Sequence, residues 1–338
     1  MENKEIDIND YLNDFLNKYH KIKHLKVKNL GLFHKLSNFV HEQTKLKNET
    51  ERINWYKVNR SSLLQNIELI NNFFRSINVE FNIEDIIKDG TINIQTYDLD
   101  ETLENKRYRL NEGNNHYLGN HKSININNNG LISDSAVWVH EISHYRNQPD
   151  EGRGQANDLL TEALASITEL IYIDYLEELG YNYEAYYARI FLLNFFHSIS
   201  YQASILTKMF LLYEELGDIS KESYKYFYKT DNDYDEVKDK FLKMMKSDPM
   251  IIFKSIDYTV SAAYAIYMYD CYHKNKDFIN NIERLNTELL NNKDLVTCLK
   301  TIKLNEYIND SKIKMEEAFN NFKILLAGQV PQPKVLKK

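Results

Sequence analysis

The stretch Ala136–Tyr145, AVWVHEISHY, constrains the fold more than any other part of this 338-residue chain. It places His140 and His144 four residues apart, with Glu141 directly after the first histidine. On an α-helix, positions i and i+4 lie about 40° apart in azimuth and about 6 Å apart along the axis. The two imidazoles therefore aim at one point only if the stretch is helical. We predict a helix with Asp134 as its N-cap.

This spacing is that of two metal ligands and a base. Imidazole nitrogens bind zinc at about 2.0–2.1 Å. Glu141 projects about 100° round the helix from His140, beside an ion rather than on it, where it can accept a proton from a bound water. The alternative is that His140 and His144 are partly buried and satisfied by ordinary hydrogen bonds. We predict a site for one Zn²⁺ per chain.

A catalytic zinc site needs a third protein ligand and an open fourth position. No histidine follows at short spacing, since the next is His197. A loop with one proline and two glycines, 147–155, instead leads to a predicted helix with Glu162 and Glu169 on nearly the same face. We predict Glu162 as the third ligand and Glu169 as the residue that orients a histidine. The alternative for Glu162 is an ordinary carboxylate on a helix surface.

Helical periodicity dominates the remainder of the chain, which has only 10 glycines and 4 prolines. Alternating residues predict two strands, Thr91–Tyr97 and Ser123–Asn127, whereas most of 98–122 is polar and irregular. Beyond the motif we predict helices almost throughout, with breaks near Gly180, Gly217 and Pro249. The sequence therefore predicts a mainly α fold of the α+β type, with two short strands before the helix that carries the motif.

The length suits one large domain or two closely joined ones. We predict an N-terminal helical region at 1–90, a catalytic region at 91–325 packed on it as one unit, and a disordered tail at 326–338.

Composition excludes several classes of protein. The formal charge of -7 argues against a nucleic-acid binder, which normally carries a basic stripe. No stretch approaches the roughly 18 apolar residues of a membrane span, and the charged N-terminus lacks the apolar segment of a signal peptide. The two cysteines, Cys271 and Cys298, have no CxxC spacing. We therefore expect a cytoplasmic protein with two free thiols and with neither nucleic acid nor membrane as partner.

The HEISH motif resembles the HExGH of the thimet oligopeptidase/oligopeptidase F (M3-type) family of zinc peptidases. The segment TEALASITE, from Thr161, resembles that family's ExxS…E segment, whose first glutamate is the third zinc ligand. The likeness extends over roughly residues 62–270. It implies the zincin-like M3 peptidase catalytic core, which is mostly helical with a small sheet beside the zinc helix and a deep cleft for short, unstructured peptides.

The same resemblance implies where a substrate binds. The strand before the zinc helix would line the cleft and pair with the peptide backbone by strand addition. The residues implied in substrate binding are Gly119, Ile124, Asn125 and Ile126.

The family also has a histidine and several tyrosines, C-terminal to the zinc site, that stabilise the oxyanion. Here the corresponding segment, 246–270, contains no histidine. Tyr258 falls close to the family's tyrosine cluster, and Tyr264 lies on the same predicted helix. We predict both as candidate oxyanion donors.

These features together predict a zinc-dependent endopeptidase or oligopeptidase that hydrolyses short peptides with a zinc-activated water and a glutamate base. One alternative is a zinc-binding or peptide-binding protein that kept the fold and lost turnover. The other is a purely structural helical protein, which would bind no stoichiometric zinc.

Overall fold

In the computed structural model, part of the chain is described in detail. The described residues are 30–45, 59–97, 113–118, 121–147, 157–247, 249–291, 293–304 and 316–322. Predicted substrate residue Gly119 and the predicted tail lie outside them. The chain divides into two compact units. The first comprises Met1–Lys45 and Phe195–Val260, and the second comprises Leu46–Asn194 and Ser261–Lys338. The predicted boundaries near residues 90 and 325 stay predictions.

Helices account for most of the described residues, so the predicted mainly α fold is confirmed. They are α1 (Leu30–Thr44), α2 (Leu63–Ser76), α3 (Ile83–Lys88), α4 (Asp134–Asn147), α5 (Asn157–Glu178), α6 (Asn182–Leu216), α7 (Lys221–Tyr228), α8 (Tyr234–Ser247), α9 (Pro249–Lys274), α10 (Ile279–Leu290) and α11 (Leu295–Thr301). None of the described helices combines the length and apolar character that crossing a membrane requires.

The predicted helix breaks are also confirmed. Gly180 and Gly217 follow the ends of α5 and α6 with φ values of 89° and 67°. Glycine is the residue that adopts this left-handed conformation without steric cost, and it ends helices for that reason. Pro249 is the first residue of α9, where its missing N–H costs no hydrogen bond.

A small mixed sheet accompanies the helices. Its strands are β1 (Ile92–Thr96), β2 (Gly113–Leu118) and β3 (His121–Asn128), in the spatial order β1-β3-β2. β1 runs parallel to β3, and β2 runs antiparallel to it. The two predicted strands are confirmed as β1 and β3. β2 lies in the region that we expected to be irregular, because its sequence, GNNHYL, lacks alternating apolar residues.

The position of β3 corrects one prediction about substrate binding. β3 is the central strand, and Ile124, Asn125 and Ile126 are paired with β1 on one side and with β2 on the other. Strand addition needs an unpaired edge, so a peptide cannot add to the backbone of β3. Ile124 and Ile126 are instead buried core residues. The expected pairing of substrate with this strand is therefore wrong.

Helix α4 is buried on nearly all sides, which explains why it lacks a polar face. It packs against β3, β2 and α5. The Trp138 side chain is fully buried, and its indole Nε1 donates to the Asn127 carbonyl at 2.9 Å. On the other side, the Tyr172 hydroxyl of α5 donates to Ser135 Oγ at 2.7 Å. These contacts hold the zinc helix predicted from sequence between the sheet and α5.

Asp134 is the first residue of α4 and not its N-cap as predicted, because its carboxylate accepts N–H groups of the preceding loop instead of those of the helix. Oδ2 accepts the backbone N–H groups of Asn129 at 2.7 Å and Leu131 at 3.1 Å, and Oδ1 accepts Asn129 Nδ2 at 3.2 Å. The loop turns at Gly130, whose φ of 74° favours glycine. Burial raises the pKa of the Asp134 carboxyl to about 6, although these hydrogen bonds lower it in part.

Replacing Asp134 with alanine is expected to destabilise the protein, because buried backbone donors of the loop lose their acceptor. We expect a loss of about 1–3 kcal/mol in the free energy of unfolding at pH 7. A pKa that is higher in the folded than in the unfolded state means that the carboxyl stabilises the fold more as the pH falls toward 5. The difference between wild type and Asp134→Ala should therefore grow by about 1 kcal/mol from pH 7 to pH 5. Urea denaturation at each pH measures it.

Asp89→Ala is the matched control. Asp89 is exposed, and its carboxylate accepts hydrogen bonds from the side chain and the backbone N–H of Thr91, the latter at 2.9 Å. Hydrogen bonding to Thr91 lowers the pKa of Asp89. Any stability that the Asp89 carboxylate contributes is therefore lost only when the pH falls below the ordinary pKa of an aspartate. Its effect should not change between pH 7 and pH 5. Equal pH trends for the two variants would contradict the account of Asp134.

Candidate metal centre

Three side chains from α4 and α5 converge on one buried point. His140 and His144 project from the same side of α4, and their Nε2 atoms are 3.2 Å apart. Glu162, in the second turn of α5, brings its Oε2 to 3.6 Å from His140 Nε2 and to 3.3 Å from His144 Nε2. Among the described residues, these three form the group of potential ligands that can hold a metal ion. The structure thus brings together the three ligands predicted from spacing.

The three distances fit a tetrahedral zinc ion. With metal–ligand bonds of about 2.0–2.1 Å, the ligand atoms of a tetrahedral centre lie about 3.3 Å from one another. The separations of 3.2, 3.3 and 3.6 Å match that edge length. Two imidazole nitrogens and one carboxylate oxygen are also a donor set that zinc prefers. The residues present therefore fit the ion that the fold implies.

Glu169 fixes the orientation of the first histidine. It lies two turns after Glu162 on α5, is buried, and accepts a hydrogen bond from His140 Nδ1 at 2.9 Å. Because Nδ1 carries the proton in this bond, Nε2 of neutral His140 presents its lone pair toward His144 and Glu162. A carboxylate that orients a ligating imidazole in this way also raises its basicity. The structure therefore contains the predicted contact between Glu169 and a histidine.

The electrostatics of the cluster favour a bound cation. Burial lowers the pKa of His140, but hydrogen bonds to Glu162 and Glu169 outweigh it, so the pKa lies well above its ordinary value. Burial raises the pKa of Glu162, but the charges and hydrogen bonds of His144 and His140 outweigh it and hold that pKa well below its ordinary value. The Glu162 carboxylate therefore stays charged, and positive charge at the neighbouring His140 is stabilised.

Glu141 lies beside this cluster without being one of its ligands. It is buried, as its neighbour Ile142 is. Burial raises the pKa of its carboxyl, and the nearby His140 and His144 offset the rise only in part. A carboxylate with a raised pKa accepts a proton more readily, which is the property that a general base requires. The geometry thus separates the three ligands from one basic carboxylate next to them.

Tyr264 and Tyr258, the predicted oxyanion donors, lie in different units. Tyr258 belongs to the first unit, where its ring packs edge-on against Phe195, and its predicted role stays a prediction. Tyr264 belongs to the second unit, which also contains the cluster. Its side chain is fully buried, and its hydroxyl is without a hydrogen-bond partner. Burial also raises the pKa of Tyr264 above its usual value, so the phenol remains a proton donor.

Helix α9 is hydrogen-bonded to α5, the helix that carries Glu162 and Glu169. Ser261 Oγ donates to the Leu159 carbonyl at 2.6 Å, and further along both helices the Tyr269 hydroxyl donates to Asp174 Oδ1 at 2.7 Å. The second half of α9 therefore runs in the same direction as α5. The role of Tyr264 as oxyanion donor stays a prediction.

Arg146 is a residue of α4 whose partner the sequence analysis missed. Its guanidinium pairs with the carboxylate of Glu283 on α10, with Nη2 to Oε2 at 2.8 Å, and it lies 5.3 Å from the centre of the Phe74 ring. These contacts anchor the C-terminal turn of the helix that carries both histidines. Arg146 and Glu283 are 137 residues apart, so no local pattern indicates the pair.

Several solved structures have a fold similar to that of this chain. PZ peptidase A with an inhibitor is 14% identical, with a TM-score of 0.55, and the match covers 94% of this chain and 58% of that one. A protein assigned as oligoendopeptidase F is 12% identical, with a TM-score of 0.55, and the match covers 94% of this chain and 58% of that one. A protein from Chlamydophila abortus that is assigned as a peptidase is also 12% identical, with a TM-score of 0.55. That match covers 94% of this chain and 61% of the other. The chain has the fold of these peptidases.

This peptidase fold agrees with the family resemblance found in the sequence. The structure contains the small sheet beside the histidine-bearing helix that the resemblance implied. The chain spans less than two thirds of the length of each of these structures. No protein-family model matches the sequence, and no curated protein matches it.

Proposed function

We propose that this chain is a zinc-dependent peptidase that hydrolyses short peptides as an endopeptidase or oligopeptidase. The observation that carries the proposal is the convergence of His140, His144 and Glu162 at the edge lengths of a tetrahedral zinc site, beside the buried carboxylate of Glu141. The fold shared with structures named as peptidases supports it. The free thiols of Cys271 and Cys298 accord with a cytoplasmic location.

In the proposed mechanism, His140, His144 and Glu162 would hold a zinc ion, and Glu169 would keep His140 in the tautomer that presents Nε2 to it. When bound, zinc supplies Lewis acidity and lowers the pKa of a bound water toward about 7. Glu141 removes a proton from the attacking water and delivers it to the nitrogen of the leaving amine. The Tyr264 hydroxyl donates a hydrogen bond to the oxygen of the scissile carbonyl as negative charge develops there.

The mixed sheet directs where an extended peptide would bind. Since β3 is paired on both sides, strand addition is left to an outer strand. α4 packs against β2 as well as β3, so β2 is the outer strand that contacts the metal helix. We propose that a peptide substrate adds to β2, with its scissile bond directed toward the α4 cluster.

The alternative function is a zinc-binding or peptide-binding protein without turnover. One observation favours it. Segment 246–270, which corresponds to the family's oxyanion segment, contains no histidine to assist the oxyanion. Loss of one oxyanion donor typically costs about 2.7–4 kcal/mol in the transition state. Such a protein would bind zinc at one ion per chain and cleave no peptide.

Removal of the metal tests the proposed function. We expect the protein as purified to contain one zinc ion per chain and to cleave members of a panel of fluorescence-quenched peptides. A chelator should abolish cleavage, because the attacking water loses its activation, and added zinc should restore it. Stoichiometric zinc with no cleavage at any peptide would establish the alternative. Absence of zinc would contradict both readings.

A further inference from the structure

The second histidine of the cluster differs from the first in what surrounds its Nδ1 atom. His140 Nδ1 donates to the Glu169 carboxylate, whereas His144 Nδ1 is buried and has no hydrogen-bond partner. A metal bound at Nε2 fixes the proton of a neutral imidazole on Nδ1. That N–H group then needs an acceptor, because a buried donor without one costs free energy.

A second unpartnered polar atom lies one helical turn away. Asn147 is buried at the end of α4, and its Nδ2 group has no hydrogen-bond partner either. Residues i and i+3 share a helix face, and each Cα–Cβ bond tilts toward the N-terminus of the helix. The carboxamide of Asn147 therefore lies over the turn that contains His144.

We propose that Asn147 is a positioning residue for His144 and that it acts through one shared water molecule. Each of the two atoms is buried without a hydrogen-bond partner, and a water molecule between them would satisfy both. Both are donors when His144 holds a metal, and the oxygen of one water accepts from both. Buried waters characteristically bind polar groups that the protein leaves unsatisfied. This inference rests on the proposed zinc site and adds a residue to it.

The role follows from the tautomers of His144. With no partner for Nδ1, the proton is free to sit on Nε2, where it blocks the metal. A water held by Asn147 favours the Nδ1–H form and fixes the rotation of the ring. The two histidines are then oriented by different means, His140 by a carboxylate and His144 by a neutral amide.

Zinc affinity of Asn147 variants tests the proposal. We expect Asn147→Leu, which is close in volume but apolar, to weaken zinc binding about 10- to 100-fold in competition with a chromogenic chelator. Asn147→Asp keeps a polar group and supplies an acceptor, so it should restore the wild-type affinity. Asn286→Leu is the matched control, because Asn286 is also buried with an unpartnered amide oxygen but lies on α10. The melting temperature of the metal-free protein shows whether each variant is folded.

A measurement on the zinc-loaded wild type needs no variant. Proton–nitrogen NMR should show a slowly exchanging Nδ1–H resonance of His144, close in space to the side-chain amide protons of Asn147. Absence of that resonance, or zinc binding by Asn147→Leu within twofold of the wild type, would overturn the proposal. Equal weakening in Asn286→Leu would do the same. If the wild type binds no zinc, the proposed function itself fails, which separates the two outcomes.

Discussion

Replacing Glu141 with glutamine should abolish peptide cleavage and leave zinc bound. Glutamine has nearly the volume of glutamate but cannot accept the proton of the attacking water. General acid–base catalysis contributes about 10²- to 10⁴-fold to the rate, and Glu141 is assigned both transfers of that proton. We therefore expect kcat/KM to fall by at least about 10³-fold. The rate is measured with a quenched peptide, and zinc content is measured by metal analysis.

The control for Glu141→Gln is Ser143→Ala. Ser143 is buried on the same helix, and its hydroxyl donates to the Val139 carbonyl at 2.7 Å, within the helix itself. This variant should bind zinc and cleave peptides at close to the wild-type rate. A Glu141→Gln protein that cleaves as fast as the wild type would remove Glu141 from the mechanism, whatever its zinc content.

Glu162→Gln should remove the metal rather than the base. Its carboxylate is the charged ligand of the three, and both imidazole contacts depend on the same oxygen, Oε2. Loss of a residue that only orients a ligand typically weakens zinc affinity about 10- to 100-fold, so loss of a direct ligand should cost more than that. Chelator competition should rank the zinc affinities as wild type, then Glu169→Gln, then Glu162→Gln.

Thr168→Val is the control for the two glutamate variants on α5. Thr168 is buried next to Glu169, and its hydroxyl donates to the Leu164 carbonyl at 2.7 Å. Valine has the same shape and leaves the cluster untouched, so zinc affinity should not change. If Glu162→Gln bound zinc as tightly as Thr168→Val does, the third ligand would have to be another residue.

The parts of the site that the sequence predicted are those with a local cause. The four-residue spacing of His140 and His144 fixes their relation on any helix. Glu162 was predicted because the glycines and the proline in 147–155 indicate a turn before a second helix. The structure brings the Glu162 carboxylate to both imidazoles. The start of α4 near Asp134 was also predicted, although the carboxylate accepts N–H groups of the preceding loop and not those of the helix.

The features that the sequence did not predict depend on distant parts of the chain. β2 has few residues with strand propensity, and its strand conformation comes from pairing with β3. That pairing also makes β3 central, which overturns its expected backbone pairing with a peptide substrate. Arg146 departs from the apolar residue expected at its position, and only the fold reveals its partner, Glu283. The unpartnered atom of Asn147 is likewise visible only once burial is known.

The anchoring of α4 at its two ends has a consequence for metal exchange. The Asp134 carboxylate holds the loop at one end, the Arg146 pair holds the other, and neither contact involves a metal ligand. The scaffold of the cluster is thus assembled independently of the ion, unlike a zinc finger, which is unfolded without its metal. Zinc should therefore be replaceable by cobalt through dialysis of the native protein, without a refolding step. The cobalt form would give the centre a visible absorption spectrum.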